Sequence, residues 1–394
     1  MKLLFKNAEI VLFDKNISGS LLTEDKIIKT IGDTDSTYNY EIDCKDLKIF
    51  PGFIDSHVHG GYGFDFEQNS IESYKDFASN IVKEGVTKFV LASVTSTPDK
   101  ISSCLKTFSQ FYNQQELTSS KCLGVHLEGP FISKEKKGAH KESLIIKPNI
   151  DLVKQWIQDS NNLIKIITFD IEHDEDSQFL KFLNDNNIIG SIGHSNISNK
   201  TFKSKTKDVP FYRVTHLFNG MSGLLHNNPG VAAAALNDDR VLCELICDGF
   251  HVDKDLIRIT YLCKGSKKIT LITDAMSAKG MDNGNYMLGE LEVEKKDEIC
   301  VLKNTSTLAG SVCTYSKCFK NFHDWINPTD QELAHVSSYN SAIQLGLKNT
   351  GLIKEDYLAD LVLVNNDYEV VMTVCEGIIT YIDNKYKNRL IKKG

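Results

Sequence analysis

Short apolar runs bounded by turn-forming residues set the rhythm of this chain. Residues 3–13 and 21–31 read as strands with turns at 16–19 and 23–25, and a third short run at 47–50 ends at Pro51. Comparable runs return near the C-terminus, at 359–364, 369–375 and 377–382. Three short strands cannot bury a core alone. The two ends are therefore expected to combine into a small β-sandwich domain, residues 1–50 and 355–394, with everything between inserted into it.

Inside the insert the pattern changes. Apolar runs at 52–55, 88–92, 122–127, 163–168, 188–192, 213–217, 241–246 and 269–273 alternate with segments of helical periodicity such as 70–84, 99–111 and 150–159. Further helices are expected at 316–325 and 330–346. Strand and helix alternating over roughly 220 residues predict an α/β architecture, a (β/α)8 TIM barrel over residues 51–354 in preference to an open doubly wound sheet.

Composition narrows the function. At 394 residues, 41% hydrophobic and 25% charged, the chain has ordinary globular values. With 45 Lys+Arg against 52 Asp+Glu the net charge is −7, which predicts no nucleic-acid partner and no anionic membrane surface. A small-molecule substrate is expected. The start is broken by Lys2 and Lys6, so no secretory leader is predicted, and no run is long enough for a membrane span. A cytoplasmic location follows as an expectation. The ten cysteines form no C-x-x-C pair and read as reduced, mostly buried thiols.

Chemistry gathers where the expected strands end. His57 and His59 stand one residue apart, so on an extended backbone both imidazoles project from one face, and Gly60-Gly61 then lets the chain turn away. Glu128 ends the third strand, His194 the fifth, His216 the sixth and Asp274 the eighth, with His251 just after the seventh. Barrel enzymes carry their chemistry at that end, and imidazole with carboxylate suits a borderline divalent ion such as zinc or iron(II). A lone Glu128 carboxylate buried behind an apolar strand would be costly, and a cation removes that cost. His126, deeper on the same face, reads as a packed histidine. Asp274 either caps a following helix or accepts the proton that metal-assisted hydrolysis releases, and the second reading is preferred. There is no G-x-S-x-G, H-E-x-x-H, phosphate loop or helix-opening G-x-G-x-x-G.

These residues carry a resemblance. Residues 51–55 running into His57-Val58-His59 resemble the opening of the amidohydrolase superfamily, and 359–362 its closing signature. Within it, residues 126–131, 137–140, 216–221, 248–252, 273–276 and 308–311 are similar to motifs of the N-acetylglucosamine-6-phosphate deacetylase family. The resemblance implies a barrel with a flanking β domain, a homodimer, and hydrolysis of the acetamide of an amino-sugar phosphate. It makes Glu128, His194 and His216 ligands of one divalent ion, and His57 and His59 ligands of a second where two are bound. Zinc or iron leads, and manganese also suits the donors. It makes Asp274 the catalytic acid/base and His140, Asn219, Gly220 and His251 substrate contacts, with His251 also at the oxyanion.

One departure stands out. Between Met221 and Pro229 the family places an arginine that grips the sugar phosphate, whereas this chain has Asn227, after His226. Asparagine carries no charge, so a phosphate grip would fall to His226, His251, Lys137 or Lys141. Residues 169–172, after the fourth strand, are also atypical. The alternatives are deacetylation of another N-acetyl amino sugar, either N-acetylgalactosamine 6-phosphate or an unphosphorylated sugar, and a cyclic-amide hydrolase or deaminase of the same superfamily. Against the last stands the absence of a lysine at the end of the fourth strand.

Overall fold

In the computed structural model, which describes residues 1–209 and 212–393, the expected apolar runs of the insert become eight parallel strands. They are β6 (Phe53–Val58), β7 (Val86–Ser93), β8 (Lys121–Glu128), β9 (Ile164–Phe169), β10 (Ile189–Ile192), β11 (Tyr212–Val214), β12 (Val241–Ile246) and β13 (Ile269–Ile272). Each pairs with the next in chain order. Most are buried on both faces, which is why they read as near-continuous apolar runs rather than alternating ones. Between β13 and β6 the closure is made by fewer bonds. Asp274 N–H donates to His57 O at 2.9 Å, and Thr273 Oγ1 donates to Asp55 Oδ2 at 2.6 Å.

The expected helices form where hydroxyl and amide side chains can cap them. Ser70 precedes α1 (Ile71–Ile81), Thr97 precedes α2 (Pro98–Tyr112) and Asn149 precedes α3 (Ile150–Asp159), each accepting a backbone N–H of the first turn. Next come α4 (Gln178–Asp185), α5 (Asn199–Thr206), α6 (Val231–Leu236) and α7 (Lys254–Lys264). A three-stranded antiparallel sheet, β14 (Gly284–Leu288), β15 (Leu291–Lys296) and β16 (Ile299–Leu302), is inserted before α8 (Tyr315–Ile326). Residues 330–346 hold two helical pieces around a π turn at His335–Tyr339.

The termini meet as expected. The first strands are β1 (Lys2–Val11), β2 (Asn16–Glu24), β3 (Ile27–Ile31), β4 (Tyr40–Asp43) and β5 (Lys48–Pro51). The C-terminal ones are β17 (Leu361–Val364), β18 (Val370–Cys375), β19 (Ile378–Ile382) and β20 (Leu390–Lys392). They form one mixed sheet in the order β19-β18-β17-β5-β1-β2-β3, branching at β1, whose first half pairs with β4 and second half with β5. Its core of Leu3, Phe5, Ile10, Leu21, Ile42, Ile49 and Leu363 is distinct from that of the barrel. The turn expected at 16–19 lies within β2 instead. Gly19 pairs with Ala8 and Ser18 with Glu9, and ladder bonds there outweigh the weak strand propensity of glycine and serine.

Candidate active site

The strand-end residues converge on one mouth of the barrel. His57 sits in β6, where the pairing with β7 shifts register between Asp55 and Val58, and Glu128 is the last residue of β8. His194, His216 and Asp274 each stand two residues past a strand, with φ of 47°, 28° and 51°. Such left-handed backbone costs a non-glycine residue on the order of 1–3 kcal/mol. Neighbouring loops hold it in place. Ser133 N–H donates to His194 O, and Ser311 N–H to Asp274 O, both at 2.8 Å, and Asn219 N–H donates to His216 O at 2.9 Å. Gly220 must be glycine, since φ is 58° and a Cβ there would lie 2.7 Å from His194 Nδ1.

The hydrogen bonds fix which ring nitrogens face inward. His194 Nδ1–H donates to Lys136 O at 2.7 Å and His216 Nδ1–H to Asn219 O at 3.1 Å. In the neutral rings both Nε2 atoms are then lone pairs. They lie 3.1 Å from each other, and 3.1 Å (His194) and 2.8 Å (His216) from Glu128 Oε1. With both rings neutral, three acceptors at that spacing have no proton among them to share, so the trio needs a positive charge. In the absence of a cation, burial opposes a proton on the His216 ring, but Glu128 still holds the ring above its ordinary range. Tetrahedral metal ligands at about 2.0–2.2 Å from an ion are separated by about 3.3–3.6 Å, so the three atoms need open by only a few tenths of an ångström to share one.

A second group adjoins the first. His59 Nε2 lies 3.2 Å from Glu128 Oε2 and 3.0 Å from Asp274 Oδ1, and His57 Nε2 lies 3.6 Å and 3.3 Å from the same two oxygens. The two oxygens of Glu128 thus face different pairs of imidazoles. Burial alone would strip the protons from His57 and His59, yet the carboxylates around them hold both above the ordinary range, His59 up to about 10. Burial likewise opposes the charge on Glu128, and His57, His194 and His216 nonetheless hold it well below its usual range. The donor set therefore calls for positive charge and fits one divalent ion at Glu128, His194 and His216, with room for a second at His57, His59, Glu128 and Asp274.

The other expected residues fall into two classes. His140, Asn219, Gly220 and His251 line a cavity of about 340 Å³ together with His59, Glu128, His194, His216 and Asp274. His140 Nδ1 accepts Thr95 N–H at 3.2 Å, so its proton is on Nε2, 3.7 Å from Glu128 Oε2. Burial first, then His194, pushes its pKa down to about 3, so the ring is neutral. His251 Nδ1 is 2.6 Å from Asp248 Oδ2, which leaves Nε2 for the cavity. His226 and Asn227 stand on the exposed loop 223–228, outside the residues lining this cavity. Among those lining residues there is no lysine or arginine. The next element after Asp274 is the strand β14 at Gly284, so the capping alternative has no helix to cap. His126 is a packed histidine, with Nε2 2.7 Å from Thr168 Oγ1. The atypical stretch after β9 supports the neighbouring loop, because Asp170 accepts the Ser195 hydroxyl.

Several contributors went unseen in the sequence. Leu288, Ser306 and Thr307, from the inserted three-stranded sheet and its return, roof the cavity, and nothing in their spacing marks them. Glu244 and Arg213 lie in the barrel interior, fully buried. A charge in the middle of an apolar strand is the signal that could have found them.

No family model matches the chain. It is 35% identical over 354 residues to N-acetylglucosamine-6-phosphate deacetylase of Bacillus subtilis, 88% of each chain. It is 36% identical over 337 residues to that of Lysinibacillus sphaericus, covering 84% of this chain and 85% of the relative. The crystal structure of N-acetylglucosamine-6-phosphate deacetylase from Thermotoga maritima superimposes with a TM-score of 0.86 at 34% identity, covering 96% of this chain and all of that one.

Proposed function

Because the chain belongs to the N-acetylglucosamine-6-phosphate deacetylase family of the amidohydrolase superfamily, we propose that it hydrolyses the acetamide of N-acetylglucosamine 6-phosphate to glucosamine 6-phosphate and acetate. The observation that carries this reading is the meeting of Glu128 Oε1, His194 Nε2 and His216 Nε2 beside the Asp274 carboxylate, at the floor of a sugar-sized cavity.

Glu128, His194 and His216 would hold one ion, and His57 and His59 with Glu128 and Asp274 a second, zinc or iron by preference. Such an ion supplies Lewis acidity, making water nucleophilic at neutral pH and drawing charge onto the carbonyl oxygen. The chain's own residues do the rest. Burial works against the ionised form of Asp274, but His57 and His59 outweigh it and hold its carboxyl below the usual range, so it is a proton acceptor at neutral pH. It takes the proton of the attacking water and returns it to the departing nitrogen, which must leave as an amine. Asn219, Gly220 and His251 orient the sugar. The His140 Nε2–H is a neutral donor aimed into the site.

A second reading is deacetylation of an unphosphorylated N-acetyl amino sugar. It is favoured by the lack of lysine and arginine among the lining residues and by the uncharged Asn227. One assay separates the two: acetate release by the zinc- or iron-reconstituted protein from N-acetylglucosamine and from its 6-phosphate. A kcat/KM for the free sugar equal to or above that for the phosphate would reverse the order, and release from neither would sink both. We also propose that the protein is a homodimer and that residues 1–50 and 355–394 form one unit. Leu224 and Leu225, 44% and 61% exposed on the loop 223–228, support the first, and the separate core of the terminal sheet supports the second. Light scattering of the purified chain tests the dimer.

A further inference from the structure

A buried ion pair crosses the barrel interior beneath the metal ligands. Glu244 of β12 and Arg213 of β11 are both 0% exposed, and Arg213 Nη2 forms an ion pair with Glu244 Oε1. Arg213 is itself held from two further sides, donating to Ser56 Oγ at 2.6 Å and to Gln344 Oε1 at 2.7 Å. Burying both charges carries a desolvation penalty that apolar side chains of similar volume would avoid. A barrel that needed only filling would not place them there.

The other oxygen of Glu244 shows what the pair touches. Oε2 lies 3.0 Å from His57 Nδ1 and accepts the backbone N–H of His216 at 2.9 Å. One carboxylate oxygen therefore contacts a residue from each of the two ligand groups. We propose that Glu244, clamped by Arg213, is a positioning residue of the metal centre. By accepting the Nδ1 proton of His57 it fixes the tautomer, so that the Nε2 lone pair faces Glu128 Oε2 and Asp274 Oδ1 and can take an ion there. The contact to His216 reaches only the backbone, and the His216 ring is separately fixed through Asn219 O. The ion at His57 and His59 thus depends on Glu244 more than the ion at Glu128, His194 and His216 does. Arg213 already neutralises Glu244, so the neighbouring trio of His57, His126 and Glu244 is support for a ligand rather than a third ion site.

This inference rests on the metal-centre reading above, and the test keeps the two apart. Wild type, Glu244→Gln and the double variant Arg213→Met/Glu244→Met would be stripped with a chelator and titrated with zinc in competition with a chromophoric chelator. The metal-free proteins would be unfolded thermally alongside. The double variant leaves no charge unpaired, which guards against a trivial failure to fold. Wild type should take two ions, and both variants should keep the tighter one while binding the second about 10–100-fold more weakly. Variants that bind both ions like wild type, differing only in unfolding temperature, would reduce Glu244 to a structural role and overturn the proposal. Equal weakening of both ions would overturn its selectivity for His57. A wild type that takes one ion or none would instead overturn the two-ion reading itself.

Discussion

His194 Nε2 and His216 Nε2 face each other at 3.1 Å, while the opposite nitrogen of each ring donates its proton to a backbone carbonyl. Without a cation between them, the two ring nitrogens and the Glu128 carboxylate are held together by the fold and by the proton that, against burial, Glu128 draws onto His216. Removing divalent metal with a chelator should therefore lower the unfolding temperature, and zinc should restore it. At a free concentration one hundred times Kd the expected gain is about 2.7 kcal/mol. Calorimetry checks this, and identical unfolding with and without zinc would contradict the ligand assignment.

Asp274 Oδ1 stands 3.0 Å from His59 Nε2 and lines the cavity. Asparagine fills the same space but cannot take a proton. Asp274→Asn should lower kcat by about 10²–10⁴-fold with the ion at Glu128, His194 and His216 still bound. Turnover kept near wild type would remove Asp274 from the acid/base role.

The closing signature at 359–362 is structural in origin. Asp360 Oδ2 is 2.9 Å from the buried Lys88 Nζ of β7 and accepts the Thr350 hydroxyl at 2.9 Å, while Asp360 O accepts Gly52 N–H at 2.8 Å. It pins the terminal sheet to the base of the barrel, away from the chemistry. Lys88→Met strands this carboxylate and should cost about 3–5 kcal/mol in urea unfolding, with zinc stoichiometry and KM unchanged in the folded protein. A loss of zinc without a loss of stability would show the opposite.

What was legible in the sequence follows from where periodicity and chemistry coincide. Barrel strands buried on both faces leave uninterrupted apolar runs, and a polar residue ending such a run is conspicuous, which is why His57, Glu128, His194, His216 and Asp274 could be gathered before any coordinates. The division of those residues into two groups came from the family resemblance and not from the apolar pattern. The sharing of the two Glu128 oxygens between the groups became visible only in the structure, because it depends on which ring nitrogens face inward. The roof of the cavity was hidden for another reason. The central strand β15 is half-exposed and charged, with Glu292, Glu294, Lys295 and Lys296, and its neighbours β14 and β16 are short and only partly buried, so the sheet lacks the long apolar runs that mark the barrel.

Asp238 offers a test by pH at a site remote from the ligands. Its carboxylate accepts from Arg240 Nε at 2.9 Å and from Tyr212 Oη at 2.9 Å, and Arg240 Nη1 in turn donates to Thr206 O and Val209 O at 2.9 Å, tying down the approach to β11. The Arg240 bond, with burial opposing it, holds the Asp238 carboxyl well below the usual carboxylate range. A group whose pKa is lower folded than unfolded stabilises the fold above its unfolded value near 4, and that contribution fades as the pH falls below it. Asp238→Asn should thus cost about 1–2 kcal/mol at pH 7 once solvent screening is allowed for. The difference from wild type should be constant between pH 7 and 5 and shrink below about 4. Urea unfolding across that range decides the matter, and a difference that grew on acidification would rule out an ionised Asp238 as the stabilising partner of Arg240.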